Sequence, residues 1–180
     1  MGVVVLISGT GSNLLAILEA GVAVTAVLAD RECAGLEHAR SRGIPAVVVL
    51  PSAGEPRAVY DAGLATAVAA YSPVIVVLAG WRRILTMSFL SKYRVLNLHP
   101  ALPGAYPGLH AIERALADRV PETGVMVHWV PDEGVDVGPT LFVERVPLLA
   151  SDTLEDLAAR VHEVEHRLLP QAIRYAMSAT

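Results

Sequence analysis

In the segment Asn97-Leu98-His99-Pro100 a neutral amide and a titratable imidazole stand two residues apart. The apolar pair Val95-Leu96 before them reads as the end of a buried strand. In extended backbone, positions i and i+2 project from the same face. Both side chains would then sit at the carboxyl end of a strand, where open α/β sheets bind ligands. Three prolines and two glycines between Pro100 and Gly108 keep the following chain out of helix and sheet, so it forms a shaped loop. An amide N–H can stabilise the oxygen that turns negative in a tetrahedral intermediate. An imidazole can do the same and can move a proton at neutral pH. This chemistry suits acyl or formyl transfer. On the pair alone, a turn-capping Asn97 and a hydrogen-bonded loop histidine is the better reading.

Three more stretches bear on that choice. Gly9-Thr10-Gly11-Ser12-Asn13 lies between an apolar run, Val3 to Ile7, and a helical pattern starting at Leu14. A strand, a glycine loop and a helix N-terminus make an anion site, with Ser12 and Asn13 able to cap the helix and touch the anion. Gly9 and Gly11 match two glycines of a dinucleotide fingerprint, and Asp30 lies near its ribose-binding acid, but Leu14 replaces the third glycine. A single phosphate fits better. Gly80-Trp81-Arg82-Arg83-Ile84-Leu85 leaves another buried strand, and its arginines and indole could grip a flat anionic ligand. Pro131-Asp132-Glu133-Gly134-Val135-Asp136-Val137-Gly138-Pro139 is a loop of turn residues and acids.

One motif points elsewhere. His162-Glu163-Val164-Glu165-His166 matches H-E-x-x-H, the zinc-protease pattern. The fourteen residues after it contain no His, Asp or Glu, so the usual downstream third ligand is missing. No metal is expected, and a solvated or substrate-facing helix turn is the better reading.

The elements that must position these residues alternate. Strands are expected at Val3 to Ile7, Val22 to Ala29, Ala46 to Leu50, Val74 to Ala79 and Val95-Leu96. Helices are expected from Leu14, over Gly35 to Arg42, over Glu55 to Tyr71 with Arg57 inside, from Thr86 as cap to Tyr93, and over Leu109 to Asp118. Gly124 to Val130 alternates like a half-exposed strand containing His128, with Thr140 to Val146 as its hairpin partner. Thr153-x-x-Asp156 resembles a capping box at the start of a last long helix. This order predicts an α/β fold: a Rossmann-like, mainly parallel twisted sheet with helices on both faces and an antiparallel C-terminal edge. Residues 1–180 are read as one domain, because 180 residues suit a single α/β core.

Composition narrows the function classes. Hydrophobic residues make up 53%, as parallel strands covered on both faces require. The net charge of −4, with no basic block, argues against nucleic acid as the main partner. The one cysteine, Cys33, excludes an intrachain disulfide and fits a reducing cytoplasm. The N-terminus lacks the charged lead of a signal peptide. The uncharged run Ala62 to Trp81 is long enough to span a bilayer, but Ser72-Pro73 splits it into a helix and a strand, so no membrane partner is expected.

Taken in order and spacing, the anion loop, the arginine turn, Asn97-x-His99-Pro100 and the Asp136 loop resemble the phosphoribosylglycinamide formyltransferases, folate-dependent enzymes of purine synthesis. The resemblance covers nearly the whole chain and is most specific from Asn97 to Gly108 together with Asp136. It implies transfer of a formyl group from 10-formyltetrahydrofolate, a reduced folate, to the amine of glycinamide ribonucleotide, without a metal. It implies catalytic roles for Asn97, His99 and Asp136, with Asp136 holding His99 protonated. It implies substrate contacts at Gly11, Ser12 and Asn13 for the phosphate and at His162, Glu163, Val164 and Glu165, with Glu165 gripping the ribose hydroxyls. Folate contacts are implied at Arg57, Arg82, Arg83, Ile84, Leu85 and Asn97, and at Pro131, Asp132, Glu133, Gly134, Val135 and Asp136. The chain departs from the family at Leu102-Pro103-Gly104, where Leu-Leu-Pro is usual, and at Trp81, where Phe is common. A related deformylase or another folate-dependent formyltransferase is the nearest alternative, and a non-catalytic nucleotide-binding module a remoter one. A monomer or a homodimer is compatible with the sequence.

Overall fold

A computed structural model describes residues 2–179. Its seven strands are β1 (Val3–Ile7), β2 (Val24–Ala29), β3 (Ala46–Val48), β4 (Ile75–Leu78), β5 (Val95–His99), β6 (Glu122–Trp129) and β7 (Thr140–Pro147). They form one sheet in the order β3-β2-β1-β4-β5-β6-β7. The first five strands run parallel, while β6 is antiparallel to β5 and β7 to β6. The helices are α1 (Ser12–Glu19), α2 (Leu36–Arg40), α3 (Arg57–Ala69), α4 (Met87–Leu90), α5 (Ala111–Ala117) and α6 (Leu154–Ser178).

The period of two in β1 explains the layering. Val3, Val5 and Ile7 point into a core shared with residues of α1, α2 and α6, while Val4 and Leu6 point into a second core shared with α3 and α4. Both faces are therefore dry, which is why the central strands read as unbroken apolar runs. Strand order reverses at β1, between β2 and β4, so the carboxyl ends of β1 and β4 open onto a crevice. A true capping box starts α6: the Thr153 hydroxyl accepts from the Asp156 N–H, and the Asp156 side chain accepts from the Thr153 N–H. Among the described residues, no helix is long and apolar enough to cross a membrane.

Four local expectations differ from what is found. β6 is not half-exposed: Thr123 to His128 are all buried, because β5 and β7 flank the strand, α6 packs on it and Leu102 lies against Gly124. The shortest helix expectations were too long, with α2 and α4 only five and four residues. At α1 neither Ser12 nor Asn13 caps: Ser12 is already helical, and Gly11 takes the cap position in left-handed backbone, φ 77°. Thr86 stands at the cap of α4, but its hydroxyl makes no cap bond; its own N–H instead donates to buried Asp61 at 2.6 Å.

Candidate active site

A cavity of about 650 Å³ opens at the carboxyl ends of β1, β4 and β5. Its walls come from five segments distant in sequence: Gly9 to Asn13, Leu78 to Leu85, Asn97 to Pro100, Gly108 to Ala111, and the 132–136 loop. His128, Val130, His162 and Glu165 complete it.

One part of the wall is the glycine loop. The Gly35 N–H holds the Gly9 carbonyl at 3.0 Å, and a Cβ on Gly11 would sit 2.7 Å from the Gly35 Cα. Only glycine satisfies both the positive φ and this close approach. The first N–H groups of α1 have no intrahelical partner and carry the positive end of the helix dipole. Glu165 of α6, buried at 4% exposure, reaches the loop: its carboxylate accepts from Asn13 Nδ2 at 3.2 Å and faces His162 Nδ1 at 2.7 Å. That bond is the main cause raising the His162 imidazole above its ordinary value, with burial opposing. The Asn13 Oδ1 is buried and finds no donor among the described residues.

Asn97, His99 and Asp136 meet along the same cavity. Asn97 and His99 share one face of β5, as their spacing predicted. Asp136, held at φ 55°, turns its carboxylate to them. Its Oδ1 accepts from Asn97 Nδ2 at 2.9 Å, and its Oδ2 accepts from the Gly108 N–H at 2.7 Å and lies 3.3 Å from His99 Nδ1. Burial alone would raise the Asp136 carboxyl. Contacts with His128, the Gly108 N–H and the two imidazole charges outweigh it, leaving the group below the usual carboxylate value.

Asp136 favours the charged form of His99, as expected, but burial opposes it. The His99 side chain is 4% exposed. Burial is the largest influence and pushes the imidazole below its ordinary value; Asp136 and the carbonyls of Ala105 and Tyr106 only partly pull it back. A carboxylate raises an imidazole pKa only when its attraction exceeds the cost of removing the cation from water.

His128 is the residue that sequence reasoning passed over. Antiparallel pairing sets it directly across from Asn97. Its Nδ1 lies 2.9 Å from the Trp129 carbonyl, so that nitrogen carries the hydrogen. Nε2 lies 3.1 Å from Asn97 Nδ2 and 3.4 Å from Asp136 Oδ1, accepting from the amide when the ring is neutral and donating to the carboxylate when it is charged. With His128 neutral, both hydrogens of the Asn97 amide are engaged, one by Asp136 and one by His128. The alternation of β6 put His128 on a face, but only the β5–β6 register reveals which residue it meets.

Of the expected site residues, Gly11, Ser12, Asn13, Arg82, Arg83, Ile84, Leu85, Asn97, His99, Asp132, Gly134, Val135, Asp136, His162 and Glu165 line the cavity. Five do not. Glu163 and Val164 follow His162 by one and two residues, and the 100° helical step turns them away; Val164 is core. Pro131 borders a separate shallow groove with Trp129. Arg57 and Glu133 pair with each other at 3.4 Å outside the cavity, and Glu133 also accepts from the Met87 N–H. Among the described residues no three His, Cys, Asp or Glu side chains cluster as a metal site, so the H-E-x-x-H match has no partner to complete it.

The formyl transferase family profile matches residues 1–173. The chain is 45% identical to phosphoribosylglycinamide formyltransferase of Schizosaccharomyces pombe, over 94% of each chain. It is 43% identical to the Escherichia coli enzyme of the same name, over 97% of this chain and 86% of the relative. The chain belongs to the formyl transferase family, among its phosphoribosylglycinamide formyltransferases. The fold agrees. Glycinamide ribonucleotide transformylase 1 from Symbiobacterium toebii superposes with a TM-score of 0.93 at 41% identity, covering 98% of this chain and 87% of that one. Phosphoribosylglycinamide formyltransferase from Streptococcus pneumoniae gives 0.92 at 37%, covering 98% and 99%. A folate-type one-carbon donor is what family membership implies for this cavity.

Proposed function

We propose that the chain transfers the formyl group of 10-formyltetrahydrofolate to the amine of glycinamide ribonucleotide, a step of purine (IMP) biosynthesis, in the cytoplasm and without a metal. The observation that carries this reading is that an anion loop and an amide–imidazole–carboxylate cluster line one cavity. The loop and the dipole of α1 suit a phosphate. Glu165 and the unpartnered Asn13 Oδ1 are acceptors beside that loop, where ribose hydroxyls would donate. The turn at Arg82 to Leu85, with Trp81, Val130 and Val135, offers an apolar wall edged by cations, which fits a flat anionic folate.

The donor supplies an amide-like formyl carbon. The chain's part is to stabilise negative charge on the formyl oxygen and to move a proton between two nitrogens. Asn97 releases one of its two hydrogen bonds and donates to that oxygen. His99 enters neutral because of its burial, and its two nitrogens already face Asp136 and the Ala105 carbonyl at 3.3 and 3.4 Å. The neutral ring carries one N–H, which can leave its present partner and donate a hydrogen bond to the formyl oxygen as negative charge develops there, with no proton transferred from the ring. Asp136, kept ionised, accepts the proton of the attacking amine through a water and returns it to the leaving nitrogen. The dry walls strengthen each of these interactions.

Purified protein is expected to formylate glycinamide ribonucleotide from 10-formyltetrahydrofolate with a chelator present. His99→Ala should lower turnover by about a hundredfold or more, the scale of losing one oxyanion donor. Absence of transfer, loss of activity to the chelator, or hydrolysis of the folate without acceptor would overturn the reading.

A further inference from the structure

The loop between His99 and α5 is bent against its own preference. Tyr106 has φ 48° and His110 φ 60°, the left-handed region that side chains other than glycine rarely adopt. Such backbone is strained and persists only where its surroundings over-determine it. Arg114, half-buried on α5, is what holds it. One guanidinium nitrogen, Nη2, donates to the Tyr106 carbonyl at 2.6 Å and to the Pro107 carbonyl at 2.7 Å. The same guanidinium lies 5.6 Å from the Tyr106 ring centre, and the Tyr106 hydroxyl donates to Asp118 one helical turn further on.

The clamped peptides stand beside the chemistry. Ala105, immediately before Tyr106, has its carbonyl 3.4 Å from His99 Nε2. Gly108, immediately after Pro107, donates its N–H to Asp136. Arg114 itself does not line the cavity. We infer that Arg114 is a positioning residue for formyl transfer, fixing the Tyr106–Pro107 peptides so that the Ala105 carbonyl meets His99 and the Gly108 N–H meets Asp136. The inference rests on the proposed function for its kinetic readout. While Nη2 serves both carbonyls, Nε donates to the His110 carbonyl at 3.4 Å and the planar cation lies over the Tyr106 ring, a combination that the single ammonium of lysine does not reproduce.

Arg114→Ala, Arg114→Gln and Arg114→Lys test it, the glutamine retaining an amide donor in case the alanine variant does not fold. For folded variants, kcat is expected to fall ten- to a hundredfold in R114A and R114Q, the scale of a misplacement of about 1 Å, with KM for glycinamide ribonucleotide within about twofold. R114K should recover part of the loss. The second readout is NMR titration of the His99 ring. The groups facing that ring are Asp136, His128 and the Ala105 and Tyr106 carbonyls. Loosening the carbonyls removes influences that raise the imidazole, so its titration should move to lower pH. Variants that melt earlier yet keep wild-type kcat per folded molecule and an unmoved His99 titration would overturn the inference. If wild-type protein transfers no formyl group, the reading of function fails instead, and the titration still decides whether Arg114 governs the loop.

Discussion

Replacing Asp136 with Asn separates the carboxylate's charge from its shape. Asn is the right substitute because it tolerates the φ of 55° at this position, where alanine would add backbone strain. Its side-chain oxygen can still accept from the Gly108 N–H. Its amide nitrogen, however, then faces the donating Asn97 amide where a carboxylate oxygen accepted at 2.9 Å. Two donors repel, so Asn97 must turn, and one oxyanion donor loses its aim. The proton relay is lost as well. General acid–base participation is worth about 10²- to 10⁴-fold, or about 3 to 5 kcal/mol at 1.36 kcal/mol per decade. The fold should survive, because the neutral amide also removes a buried charge. Weakening two hydrogen bonds costs about 1 to 3 kcal/mol, a fall in Tm of about 2 to 10 °C for a chain this size. Steady-state kinetics, circular dichroism and NMR titration of His99 measure the three consequences. We expect kcat to drop at least a hundredfold, KM for the ribonucleotide to stay within about twofold, and His99 to titrate lower still, since Asp136 is an influence that raises it. A turnover within about threefold of wild type in folded protein would refute the proposed role of this carboxylate.

Two further variants probe the glycine loop and its neighbour Glu165. Gly11→Ala should both destabilise the protein by about 1 kcal/mol or more and abolish saturable ribonucleotide binding, because the new Cβ meets the Gly35 backbone at 2.7 Å; calorimetric titration and thermal melting check this, and normal affinity would count against a phosphate at this loop. Glu165→Gln should raise KM for the ribonucleotide about ten- to a hundredfold, the loss of a charged hydrogen-bond acceptor, and return the His162 imidazole toward about 6.5. In the wild type His162 is raised, so its contribution to stability is full below about pH 6.5 and is lost as pH rises through its folded value. Thermal melting against pH should show that loss in wild type and not in E165Q.

What the residues determined unaided is the sheet, the place of the glycine loop and the pairing of Asn97 with His99 on one strand face. These follow from short-range rules: a period of two in extended chain, apolar runs where strands are covered twice, and glycine beside a helix start. The amide and imidazole could be read as one site because only Leu98 separates them. Everything about how that site is tuned came from contacts between distant segments. His128 meets Asn97 only because β6 turns back antiparallel in one particular register, and a shift of one residue would have faced it the other way. The depression of His99 came from the depth of the cavity, since the cost of burying a cation depends on every wall around it and on no single neighbour. Arg57 and Glu133, expected as separate ligand contacts, found each other because α3 and the 131–139 loop pack side by side. Local pattern specifies which way a side chain points, but packing alone specifies what waits there and how much water remains.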